Sequence, residues 1–126
     1  MLNCVYRLVA PRVFEPVQVD VSASSSCVYV RPTHLSICNA DVRYYRGARS
    51  AQVLAEKLPM ALIHEAIGRV VSDPTETFEV GSKVVMLPNA PCETDEVIAE
   101  NYLRSSKFCG SGFDGFMQEL VALPPQ

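Results

Sequence analysis

The apolar positions along the chain alternate in short runs rather than recurring at helical spacing. Val17, Val19 and Val21 alternate with polar neighbours, and Cys27-Val28-Tyr29-Val30-Arg31 is a β-branched and aromatic run closed by Pro32. Both patterns predict strands. The Ser22-Ala23-Ser24-Ser25-Ser26 tract between them is too polar for a core and too short for a domain linker, so a hairpin-like loop is expected there. Ala66 to Val71 and Lys83 to Leu87 predict two more strands, flanking Asp73-Pro74 and Gly81, residues that reverse a chain at low steric cost. A last strand, Met117 to Ala122, follows the glycine-rich stretch Gly110-Ser111-Gly112-Phe113-Asp114-Gly115.

Two helical pieces interrupt the strands. Thr94 to Arg104 begins on a capping hydroxyl, carries Asp95 and Glu96 at its positive end and places Arg104 near the other end. Ser50 to Leu58 stops at Pro59, which disfavours helical geometry in the residue before it. Many short strands without regular strand–helix alternation predict an all-β barrel or sandwich with helical insertions and disfavour a parallel α/β sheet. The Gly-x-Gly-x-x-Gly spacing at Gly110–Gly115 follows no predicted strand and leads into one instead of opening a helix, so no dinucleotide-binding turn is expected in these residues.

Composition narrows the function. A length of 126 residues and 48% hydrophobic content suit one domain with one core. The net charge of −3 argues against a nucleic-acid partner, which selects for a basic surface. No apolar run reaches the roughly 20 residues that span a bilayer, and Met1–Ala10 lacks the regions of a signal peptide, so a soluble cytoplasmic protein is expected. The five cysteines, Cys4, Cys27, Cys38, Cys92 and Cys109, form no disulfide framework and are expected to be reduced.

Cys38 stands just after one predicted strand, and His64-Glu65 just before another. Thiolate, imidazole and carboxylate together form a ligand set suited to zinc. Read from residue types alone, the structural roles are favoured, with Cys38 a small buried hydrophobe and His64 a carbonyl-bonded core histidine, and Asp41 is open to a role as a helix cap. A thiol-based enzyme would need an activating base beside Cys38, and the local sequence demonstrates none.

Four ordered segments carry a resemblance that favours the metal. Ile37-Cys38-Asn39-Ala40-Asp41-Val42 resembles a Cys-x-x-Asp segment, and His64 to Val70 a Gly-His-Glu-x-x-Gly-x-Val segment; Val80-Gly81-Ser82-Lys83-Val84-Val85 resembles a Val-Gly-Asp-x-Val turn, and Asp114 to Val121 a Gly-x-Phe-x-Glu-x-Val strand. In these the chain is similar to the N-terminal, GroES-like catalytic domain of zinc-dependent medium-chain alcohol and polyol dehydrogenases. The resemblance implies a mainly β fold, a GroES-like partly open β-barrel with short helical insertions, spanning residues 1–126. It implies Cys38 and His64 as zinc ligands, Glu65 as a carboxylate that ligates or supports the metal, and Asp41 as the group that orients His64. A further protein ligand and the Rossmann domain that holds the coenzyme are expected beyond Gln126, which makes this chain a truncated product or one domain of a longer enzyme, inactive alone.

Two departures matter. Ala40 stands where many relatives carry a hydroxyl that passes a proton towards solvent. Residues 88–112 contain only Cys92 and Cys109, too few thiolates for a structural zinc lobe, so both are expected to be structural. Within the superfamily, stretches such as Cys38 to Gly47, Leu58 to Glu65 and Lys83 to Asn89 resemble the ribulose-5-phosphate reductases. That implies NADPH-dependent reduction of D-ribulose 5-phosphate to D-ribitol 5-phosphate for CDP-ribitol and teichoic-acid-type polymers, beside a cytidylyltransferase. Arg43 and Arg46 are then candidates for the substrate phosphate, with an ordinary basic surface as the alternative. The rival function is a metal-free GroES-like binding or interaction module.

Overall fold

The computed structural model describes residues 1–90, 107–111 and 113–125. Along the chain run β1 (Leu2–Ala10), β2 (Val13–Asp20), β3 (Val28–Ser36), α1 (Asn39–Arg46), α2 (Ala51–Lys57), β4 (Met60–Ala61), β5 (Glu65–Ser72), β6 (Lys83–Met86), β7 (Asn89–Ala90), β8 (Lys107–Phe108) and β9 (Val121–Leu123). They form sheets in the orders β2-β1-β4, β6-β5-β3-β9 and β7-β8, and every ladder is antiparallel. The ladders among the described residues do not join into one closed cylinder, which agrees with the partly open barrel expected. None of the described helices is long and apolar enough to cross a membrane.

The strand sequences explain their places. In β5, Ala66, Gly68 and Val70 are buried while Glu65, Ile67 and Arg69 are exposed, the period-two pattern of a sheet with one covered face. Val28, Tyr29 and Val30 of β3 are all buried, and at this end β3 has a neighbour on each side, β5 and β9. Contrary to the sequence expectation, β3 continues through Pro32 to Ser36. β9 pairs only with Val28, Tyr29 and Val30, so the N–H that Pro32 lacks is missed by no neighbour on that side, and the register with β5 shifts just after it.

The serine tract is not a hairpin: β2 pairs with β1, and the tract carries the chain into the other sheet. Its Ser24 N–H donates to the Tyr29 hydroxyl at 2.6 Å, which gives this polar crossing a fixed partner. Phe116, Leu8, Met60, Val30 and Val70 fill the space between the sheets, each 2% exposed or less. Each such side chain contributes about 1.5–3 kcal/mol as an upper bound.

The expected strand from Met117 to Ala122 is divided. Gly115 and Phe116 donate N–H bonds to the Ala61 and Ile63 carbonyls at 2.8 Å each, and Tyr6 N–H donates to Met117 O at 3.0 Å, so the segment threads between β1 and the chain leading into β5. Buried Asn3 pins it, its amide donating to Gln118 Oε1 and Leu120 O and accepting from Leu120 N–H. Only Val121–Leu123 then joins the larger sheet. The expected Thr94–Arg104 helix lies outside the described residues.

Candidate metal centre

Cys38 ends the extended chain leaving β3 and is the N-cap of α1, with φ −104° and ψ 174°. Asp41, three residues on, accepts the Cys38 N–H through Oδ2 at 2.9 Å, a local contact that starts the helix. Its other oxygen, Oδ1, accepts the Ile63 N–H at 3.0 Å. Asp41 is only 4% exposed, so the desolvation of this carboxylate is offset by two backbone donors. The consequence is geometric: one side chain ties the residue before His64 to the residue that carries the thiol.

The Cys38 sulfur and His64 Nδ1 lie 3.6 Å apart although 26 positions separate them. A tetrahedral metal with bonds of about 2.3 Å to sulfur and about 2.0–2.1 Å to nitrogen holds those atoms about 3.6 Å apart. The ligand atoms of Cys38, Asp41 and His64 all fall within 4.8 Å of one another. The donors therefore fit zinc: a thiol and a partly exposed imidazole converge at one end of the larger sheet, with the backbone-bonded Asp41 carboxylate behind them. Glu65 stands at the rim, its Oε1 3.8 Å from His64 Nε2 and its side chain 56% exposed.

An open cleft of about 540 Å³ runs past His34, Ser36, His64, Glu65 and Met86. A second, more apolar cleft of about 370 Å³ lies on the Asp41 side, against Val42, Ile63 and Met117. Arg43 and Arg46 are not in the cluster. Both are exposed on the last turn of α1, with no side-chain hydrogen bond or ion pair among the described residues. The helix ends at Gly47, with φ 70°. Ala40 is the second residue of α1 and supplies no hydroxyl.

Three supports were invisible to sequence pattern. Ile63 has φ 77°, rare for a β-branched residue, directly before His64. Asp114 binds Arg7 through three contacts, the shortest 2.7 Å from Nη2 to Oδ2, and accepts the Ala61 N–H at 2.9 Å, which fixes the turn beside β4. Gly110 has φ 80°, and a Cβ there would come within 3.3 Å of the Ile63 carbonyl; only the presence of glycines in this stretch signalled it. Cys109 is partly buried, and burial followed by the negative charge of Asp114 pushes its thiol pKa up, the behaviour of a structural thiol. Cys92 lies outside the described residues.

The half-open barrel thus brings Cys38 and His64 together from the ends of the neighbouring strands β3 and β5. The chain belongs to the alcohol dehydrogenase GroES-like domain family, which matches residues 24–126. Among its relatives, the ribulose-5-phosphate reductase of Bacillus spizizenii is 59% identical over 99% of this chain. The solved structure of S. aureus TarJ in complex with NADPH matches 98% of the chain at 42% identity and a TM-score of 0.71. L-idonate 5-dehydrogenase of Escherichia coli shares the fold, with a TM-score of 0.80 at 21% identity. The chain spans 37% of the length of the Bacillus reductase and 33% of the TarJ chain.

Proposed function

We propose that this chain is the catalytic domain of an NADPH-dependent reductase that converts D-ribulose 5-phosphate to D-ribitol 5-phosphate, with zinc held by Cys38 and His64. The observation that carries the reading is the 3.6 Å approach of the Cys38 sulfur to His64 Nδ1, in a chain 59% identical to a ribulose-5-phosphate reductase. When bound, zinc supplies Lewis-acid polarisation of the substrate carbonyl. Cys38 would hold it through sulfur and His64 through an imidazole nitrogen, and Asp41 keeps the two in register through the backbone. Glu65, beside His64 and open to solvent, supports the imidazole from the rim.

NADPH, when bound, would supply the hydride, and a Rossmann domain outside these residues would hold it; TarJ, solved with NADPH, is the related case. The proton that completes the alcohol must arrive by water or another side chain, because Ala40 has none to give. Ribitol 5-phosphate is then available for cytidylyl transfer to CDP-ribitol in teichoic-acid-type polymer synthesis. Arg43 and Arg46, cations without an ion-pair partner among the described residues and close in sequence to Cys38, suit the substrate phosphate.

Steady-state kinetics on the full-length enzyme test this reading. Arg43→Ala should raise KM for ribulose 5-phosphate about tenfold or more, the equivalent of one charge-assisted hydrogen bond, and leave unphosphorylated ribulose nearly unaffected. Equal impairment with both substrates removes Arg43 from phosphate recognition. Failure of the wild-type enzyme to oxidise NADPH with ribulose 5-phosphate overturns the substrate assignment. A wild-type protein that binds no metal would favour the metal-free interaction module instead.

A further inference from the structure

The residue before His64 is held in a conformation that its side chain disfavours. Ile63 has φ 77° and is 4% exposed. For an L-residue the left-handed region costs about 1–2 kcal/mol, and β-branching makes it less favourable still. Such a conformation persists only where the surroundings over-determine it.

Here both faces of the Ile63 peptide unit are gripped. Its N–H donates to Asp41 Oδ1 at 3.0 Å and its carbonyl accepts the Phe116 N–H at 2.8 Å. A Cβ on Gly110 would come within 3.3 Å of the Ile63 carbonyl and one on Gly115 would overlap the Ile63 and Leu62 oxygens, so both glycines lie close against this peptide. Asp41 grips Cys38 with its second oxygen. The left-handed turn at Ile63 is thus the joint between the carboxylate that fixes the thiol and the residue that carries the imidazole.

We infer that Ile63 is a positioning residue: its clamped left-handed backbone aims His64 at Cys38, and the Asp41 carboxylate supplies metal affinity by holding that backbone conformation rather than by ligation. The inference rests on the proposed metal site. Without the carboxylate, Ile63 relaxes towards negative φ in the metal-free protein, and metal binding must drive it back. Glycine at this position removes that cost, because it takes positive φ as readily as negative.

A double-mutant cycle on the full-length protein reads this out, with Co²⁺ as the probe and the thiolate-to-cobalt charge-transfer absorption as the signal. Ile63→Gly alone should change the Co²⁺ dissociation constant less than about threefold while lowering thermal stability through the lost buried side chain. Asp41→Ala should weaken Co²⁺ binding about 10–100-fold. Adding Ile63→Gly to Asp41→Ala should recover about 5–30-fold, the left-handed penalty expressed as a binding ratio. If Asp41→Ala does not fold by circular dichroism, Asp41→Asn carries the same cycle, since one amide carbonyl replaces two acceptor oxygens. Co²⁺ binding by the wild type with no rescue in the double variant overturns the pivot alone. No Co²⁺ binding by the wild type overturns the metal site and the pivot with it.

Discussion

Replacing Gly115 by alanine measures how tightly the segment before β9 is pressed against the chain leading into the metal centre. The new Cβ would overlap the Ile63 and Leu62 carbonyl oxygens and meet the Leu62 carbonyl carbon at 2.7 Å. These are backbone atoms that no rotamer change moves aside. Relief requires the two segments to separate, across the Gly115, Phe116 and Met117 N–H bonds to Ala61, Ile63 and Leu62, of 2.8, 2.8 and 3.3 Å. Overpacking costs about 1–3 kcal/mol, and each weakened hydrogen bond adds up to about 1 kcal/mol. A loss of about 3–5 kcal/mol follows, which lowers Tm by about 10–20 °C for a domain of this size. Gly81→Ala is the comparison, with φ 90° and no atom within 4 Å of the added Cβ, so it has a backbone cost but no overlap. It isolates the left-handed backbone cost, about 1 kcal/mol. Thermal and urea unfolding followed by circular dichroism compare the two. A Gly115→Ala variant no less stable than Gly81→Ala would refute the close approach.

In the turn after β5, burial works against ionisation of Asp73, but the Thr75 hydroxyl and the N–H groups of Phe78, Thr75 and Thr77 outweigh it and hold the carboxyl below its usual range. The folded pKa is depressed, so the stabilisation is complete above the unfolded value near 4 and is lost as pH falls through the folded value. The Tm gap between wild type and Asp73→Asn should therefore narrow below about pH 4; a gap independent of pH contradicts it. The raised Cys109 thiol should react with iodoacetamide at pH 7.5 far more slowly than glutathione, and mass spectrometry showing comparable rates would remove the structural role assigned to it.

What the sequence revealed, and what it hid, follows the range of the interactions. The alternation of β5 is a property of one strand on one core and was readable directly. Pro32 misled because a proline is compatible with a strand wherever no neighbour needs its N–H, and that depends on how far β9 extends. The serine tract looked like a hairpin because local polarity does not say which strand β2 will choose; it chose β1. The short helix α1 went unassigned, since Cys38 is not a usual capping residue and the cap is completed by the Asp41 carboxylate. The helix expected from Ser50 to Leu58 forms as α2, and Ser50 caps it, its side chain accepting the Val53 N–H.

At the site, Cys38, Asp41, His64 and Glu65 were legible through motif resemblance, and the structure brings the first three within ligand range of one another. The Asp41 to Ile63 hydrogen bond spans 22 positions, and the left-handed turn it supports has no signature in residue type, since isoleucine is among the least expected residues there. The Arg7–Asp114 pair spans 107 positions and was equally hidden.

The central claim is that Cys38 and His64 share one zinc ion, and X-ray absorption at the zinc edge of the full-length protein tests it most directly. Wild type should show sulfur near 2.3 Å and nitrogen near 2.0–2.1 Å. Cys38→Ala should lose one sulfur scatterer, and His64→Ala one imidazole, with circular dichroism showing the fold retained. Zinc absent from the wild type, or a sulfur shell unchanged by Cys38→Ala, would contradict the claim.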